Sequence, residues 1–237
     1  YATMRNQAII GALCCAFWGY SAFAAADDAK PAASRPTAAP GYSVKTITPI
    51  YNQLLLVPMP RGFDQAYEEA KPVAYIQESV LSGETVERWS QMITLTGRKD
   101  LALNPNVTLP KLAMAIAGGF KKDCPDSFSA QALRQGKLDG YDAFTMLMQC
   151  GTSPATGGRT SESALIAVIK GARDYYTVQW AERSSPSSAP LPIDSDKWTA
   201  RYQLLVEPIR LCNRTPGEAP PYPSCTNDKQ GKNPPPP

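Results

Sequence analysis

The side chains with the right types for acid–base work or polar recognition are Glu78, Glu84, Glu87, Arg88, Glu162, Glu182 and Arg183. Trp89, Tyr176 and Trp180 lie close to them along the chain. A carboxylate facing an apolar surface must pair with a cation or meet a cavity. Two readings follow. In one, Glu78 or Glu182 orients a polar ligand in a pocket lined by Trp89, Tyr176 and Trp180, with Glu162 and Arg183 in the same polar cluster. In the other, these groups form carboxylate–arginine pairs at a sheet edge and the aromatics belong to the core. A hydrolase acting on cell-wall or sugar substrates is the catalytic alternative. It requires two of Glu78, Glu162 and Glu182 to converge to about 5–10 Å.

The chain contains no histidine. That excludes Ser-His-Asp and Cys-His catalysis, His-ligated zinc and an imidazole pH switch. No phosphate-binding glycine loop, nucleophile elbow or calcium loop is present. Gly151-Thr-Ser-Pro-Ala-Thr-Gly-Gly158 contains glycine but reads as a plain loop. The expectation is therefore no catalytic residue, no metal and no cofactor, and binding rather than catalysis.

These side chains need a scaffold, and hydrophobic spacing supplies one. Tyr75–Leu81 and Trp89–Gly97 alternate with a period of two and read as paired strands. In that phase Trp89, Gln91, Ile93 and Leu95 share one face. Tyr42–Thr48 is a further strand, and the apolar run Gln53–Pro58 is a strand buried on both faces. Phe63–Lys71 is polar and reads as a loop or short helical turn. Thr108 caps a helix with Pro110 in its first turn and a stripe of Leu109, Leu112, Ala113, Ile116 and Phe120. Ser127–Leu138 and Tyr141–Cys150 form a hairpin through Asp139-Gly140. Ser163–Ile169 and Tyr175–Arg183 form a second one. Its last strand places Tyr176, Val178, Trp180 and Glu182 on one face. Asp194 or Ser195 caps a final helix, Lys197–Glu207, with Trp198, Tyr202, Leu205 and Val206 inward. This order predicts an α+β fold: one antiparallel sheet of six to eight strands with two main helices packed on it.

Composition sets the rest. With 237 residues, 43% apolar, the chain has material for one core plus appendages. A net charge of +3 is too small to imply nucleic acid or an anionic membrane surface. Residues 1–26 match a secretory signal, with Arg5 before the apolar run Ala8–Phe23 and small residues at 22–26. The segment is either cleaved or retained as an anchor; after cleavage no stable membrane insertion is expected. Residues 27–41 form an Ala/Pro-rich linker, 42–212 the folded domain, and 213–237 a Pro-rich tail too poor in apolar surface to order itself. The expected location is the periplasm or the exterior of a bacterial cell.

Four cysteines follow the signal: Cys124, Cys150, Cys212 and Cys225. An even number in an exported chain implies two disulfides with three possible pairings. Cys124–Cys150, joining a helix end to a strand end, and Cys212–Cys225, closing a short loop, are the favoured pairs.

Trp89-Ser-Gln-Met-Ile-Thr94 and Leu138-Asp-Gly-Tyr-Asp-Ala143, set around an early helix and a C-terminal one, resemble the arrangement of the PsbP-like fold over roughly residues 42–210. The chain is also similar to a family of exported proteobacterial proteins to which no activity attaches. The resemblance implies an accessory or binding module, with an envelope protein or a small ligand as partner. Fold analogy by itself does not assign function.

Overall fold

The computed structural model describes residues 43–226. Ten strands form two antiparallel sheets, where one was expected. Strands β1 (Ser43–Ile50) and β2 (Gln53–Pro60) pair with each other, and β10 (Arg210–Asn213) joins the far side of β2. The larger sheet has seven strands. They are β3 (Phe63–Ala70), β4 (Ala74–Leu81), β5 (Gln91–Arg98), β6 (Phe128–Leu138), β7 (Tyr141–Cys150), β8 (Ser161–Lys170) and β9 (Tyr175–Ser184). Their spatial order is β3-β4-β5-β9-β8-β7-β6. Residues 1–42, which include the expected signal segment and linker, and residues 227–237 lie outside the described residues.

Strand β3 replaces the loop expected at Phe63–Lys71. It is an edge strand, so its outer side meets water, and Asp64, Gln65, Glu68 and Glu69 suit an edge that must not recruit another chain. An edge strand of this kind shows no clean alternation, which is why its sequence reads as loop.

Each face of the large sheet has its own cover. One face carries Ile93, Leu95, Leu165, Ile169, Tyr176, Val178 and Trp180. It packs against Leu55 and Val57 of β2, and against Trp198, Leu205 and Val206 of the C-terminal helical segment. That segment is α2 (Ser195–Arg201), capped by Asp194, followed by a π-helical turn at Tyr202–Val206. The other face carries Met146, Met148, Ile166 and Val168 and lies under α1 (Leu109–Asp123). Thr108 accepts from the Lys111 N–H and caps α1, and the predicted apolar stripe faces the sheet.

The continuous apolar run of β2 is explained by its position. Leu55 and Val57 face the large sheet, while Leu54 and Leu56 pack with Cys212, Cys225 and Tyr222. The chain after β10 therefore folds back. Residues 213–226, expected as part of a structureless tail, include a short helix α3 (Pro223–Thr226), and Cys225 is fully buried. The Cys212–Cys225 pair holds this return, and Cys124–Cys150 joins the end of α1 to β7; both are at bonding distance. Asp139 and Gly140 both have positive φ, at 49° and 86°, as the tight β6–β7 turn demands.

Three turns meet at one buried carboxylate. Asp174, fully buried, accepts from the Asn52 backbone N–H at 3.2 Å, the Asn52 side-chain amide at 3.0 Å and the Asp100 N–H at 2.7 Å. The Tyr176 hydroxyl lies 3.0 Å away. The β1–β2 turn, the loop after β5 and the β8–β9 turn are thereby joined. Gln53 reinforces the junction by accepting from the Ala172 N–H at 2.9 Å. A side chain at Gly171 would collide with Gln53 and Tyr176, so the turn closes only on glycine. Asp174→Ala strands several buried donors at once. We expect a loss of about 3–5 kcal/mol of unfolding free energy, measured by urea denaturation with the disulfides intact.

Candidate functional site

The seven predicted site residues do not share one pocket. Antiparallel partners lie on the same face, so the pairings Glu162–Arg183 and Ser163–Glu182 place Glu162 and Glu182 on opposite faces of the large sheet. Glu78 pairs with Thr94, and Thr94 with Gln179, which puts Glu78 on the α1 side like Glu162. Three strand spacings and four residues along the strand still separate Glu78 from Glu162, about 19 Å. Glu182 therefore shares a face with neither of the other two, and Glu78 and Glu162 are too far apart to work on one glycosidic bond.

On the α1 side, Glu162 is buried and its Oε2 lies 3.4 Å from Arg183 Nε and 3.4 Å from Ser153 Oγ. Burial raises its pKa, against the opposing pull of Arg183. The Arg183 guanidinium stacks on the Trp89 ring, 3.7 Å from its centre. Trp89, half-buried, thus packs against the α1-side core, not with Ile93 and Leu95 as its sequence phase implies. The regular strand begins only at Gln91. Glu84 holds the Ser90 N–H at 2.9 Å and its hydroxyl at 2.6 Å, bending the chain before the period of two begins.

On the other side, Glu182 is held by Lys197 Nζ at 2.5 Å and Arg201 Nη2 at 2.8 Å. Arg201 is buried between two indoles, 4.8 Å from the Trp180 ring centre and 4.7 Å from that of Trp198. Its Nη2 donates to Gln91 Oε1 at 3.1 Å, which also accepts from Trp180 Nε1 at 2.9 Å. Its Nη1 is buried with no partner among the described residues. Burial lowers the Arg201 pKa, and Glu182 opposes that shift. Tyr176 and Trp180, expected beside Trp89, are core residues of this opposite face. Sequence reading missed Arg201, although the signal was there: it falls three residues after Trp198 and four before Leu205, in phase with the apolar stripe of the helix.

Glu78 is the exception. Burial raises its pKa, and it has no hydrogen-bond or ion-pair partner among the described residues.

The described concavity lies elsewhere, where the start of α1 overhangs the end of the large sheet. It is a groove of about 480 Å³. Val107, Leu109 and the Tyr175 ring give it apolar walls, and Gln135, Lys137, Asp142 and Lys170 give it polar ones. The Tyr175 hydroxyl donates to the Val107 carbonyl at 3.0 Å and so fixes the entry to α1 over Tyr175. Its volume lies in the range of small-molecule sites. No sequence motif marks it, because its residues come from four separate segments. Among the described residues no cluster of His, Cys, Asp and Glu has the form of a metal site.

A seven-stranded antiparallel sheet covered by helices on both sides, with a three-stranded sheet beside it, defines an α+β domain. No protein-family model matches the chain, and no curated protein does. Among solved structures it is similar to the Ran-binding protein Mog1p of Saccharomyces cerevisiae: 13% identity, TM-score 0.42, covering 71% of this chain and 95% of that one. It is also similar to LpqN, involved in cell envelope biogenesis of Mycobacterium tuberculosis: 8% identity, TM-score 0.35, covering 73% and 92%. A protein from Bacteroides thetaiotaomicron is similar at 10% identity and TM-score 0.35, covering 69% of this chain and 46% of that one. Likenesses this distant carry no argument about the site.

The lone carboxylate gives a prediction with a definite sign. Because the folded pKa of Glu78 is raised, ionising it costs the fold stability. That cost is fully present above the folded pKa and absent below the unfolded value of about 4.3. Glu78→Gln should raise the melting temperature at about pH 8 and leave it unchanged at about pH 4. Calorimetry at the two pH values checks this; an equal shift at both would mean burial is not what sets the Glu78 charge.

Proposed function

We propose that the chain is an exported, non-catalytic accessory domain that binds a small ligand in the groove between the start of α1 and the end of the large sheet. The observation that carries this is a groove of about 480 Å³ with apolar walls and a few polar side chains, while Glu162 and Glu182 are engaged in ion pairs away from it. Export is supported by the signal pattern at residues 1–26 and by two cysteine pairs at bonding distance. Among the described residues no helix is long and apolar enough to cross a membrane. The PsbP-like arrangement remains part of this proposal: an antiparallel sheet between an early and a late helix agrees with it in outline. The hydrolase alternative loses its geometric basis, since no two of Glu78, Glu162 and Glu182 converge. Nucleic acid is not a proposed partner, given the charge of +3.

A fragment screen followed by amide chemical shifts on the oxidised protein tests the reading. Binders should move the signals of Val107, Leu109, Ala143 and Tyr175 and leave those around Glu162 and Glu182 in place. Turnover of a cell-wall or glycoside substrate that disappears in both Glu162→Gln and Glu182→Gln would overturn it.

A further inference from the structure

The groove's polar side chains are not equivalent. Thr108 is occupied as the cap of α1, and the Tyr175 hydroxyl is taken by the Val107 carbonyl. Lys137 Nζ holds Asp142 at 2.7 Å, so those two charges cancel. Lys170 and Gln135 remain, both lining the groove and neither with a partner among the described residues. Lys170 ends β8, paired in register with Tyr175, and is only partly exposed. One uncancelled ammonium and one amide donor therefore stand beside an apolar wall made by Val107, Leu109 and the Tyr175 ring.

We propose that the groove takes a small organic carboxylate, its anion on Lys170 and the Gln135 amide and its apolar part along Val107, Leu109 and the Tyr175 ring. This rests on the groove being the ligand site. An ammonium is a compact point charge that pairs with a carboxylate without demanding the planar fork of an arginine. A partly desolvated charge pair is stronger than one in open water. The apolar wall adds a second requirement that a bare inorganic anion cannot meet. A cationic or neutral ligand would leave Lys170 desolvated and uncompensated.

The test uses octanoate as probe, with octanol and inorganic phosphate as controls, on the full chain with its disulfides formed. Titration is followed by amide chemical shifts and calorimetry. Octanoate is expected to saturate and to move Val107, Leu109, Ala143, Lys170 and Tyr175. Octanol and phosphate should each bind at least about tenfold more weakly, the span that one well-placed interaction commands. Lys170→Met should lose at least about tenfold in octanoate affinity with an unchanged melting temperature, and Lys170→Arg should restore most of it. Equal binding of octanoate and octanol, or full affinity in Lys170→Met, would overturn the carboxylate assignment while leaving the groove as a ligand site. Phosphate binding as tightly as octanoate would overturn the role of the apolar wall. If none of the probes moves the groove signals, but fragments bind elsewhere, both this inference and the reading it rests on fail.

Discussion

The architecture depends on a buried carboxylate that is never left without donors. Asp174 lies at the junction of three turns, one from the small sheet and two from the large one. An ionised group in that position is very costly unless fully hydrogen-bonded. Here the donors are the backbone N–H and side-chain amide of Asn52, the backbone N–H of Asp100 and the Tyr176 phenol, so all three segments of the junction contribute. The carboxylate therefore acts as a coordinate constraint. The small sheet can close over the large one only when the Asn52 turn and the Asp100 loop both reach it.

The consequence runs on to the groove. Asp174 sits between Lys170, which lines the groove, and Tyr175, whose hydroxyl fixes Val107. The Ala102 N–H donates to the Arg173 carbonyl at 2.9 Å, so the loop that enters α1 is laid against the same turn. One turn thus positions the sheet side of the groove and, through the loop, its helical side. The carboxylates that drew attention in the sequence serve other ends. Glu162 with Arg183 and Trp89 closes the α1 face near the Cys124–Cys150 pair; Glu182 with Arg201, Lys197 and Gln91 docks α2 on the opposite face. Both are charge networks flanked by indoles, and both hold a helical or loop segment on the sheet.

Regular periodicity made most of this legible in the sequence. The strands from β4 to β9, both helices with their caps and the Asp-Gly turn follow from period, capping and turn chemistry that act locally. Local signals fail where tertiary context decides. Strand β3 carries the polar composition of a protected edge, which in sequence is indistinguishable from a loop. The split into two sheets depends on β10 arriving from more than 150 residues away to flank β2, and no local pattern encodes that. The phase of Trp89 was lost to a bend held by Glu84. Of the polar cluster, Glu162, Arg183 and Glu182 form ion pairs, and Glu78 forms none among the described residues. The cluster was wrong as a pocket, because the phase of β8 against β9 sends Glu162 and Glu182 to opposite faces. The groove had no signature at all, since its residues become neighbours only after folding.

Native-state hydrogen exchange tests the constraint at Asp174 most directly. The Asn52 and Asp100 amides lie in turns, where exchange is ordinarily fast, yet both are bonded to this buried carboxylate. If Asp174 holds the two sheets together, both amides exchange only through global unfolding, with the same protection free energy as the central amides of β8 and the same dependence on denaturant. Exchange of Asn52 and Asp100 through a low-energy local opening, while β8 stays protected, would contradict that account and leave the three-turn junction an incidental contact.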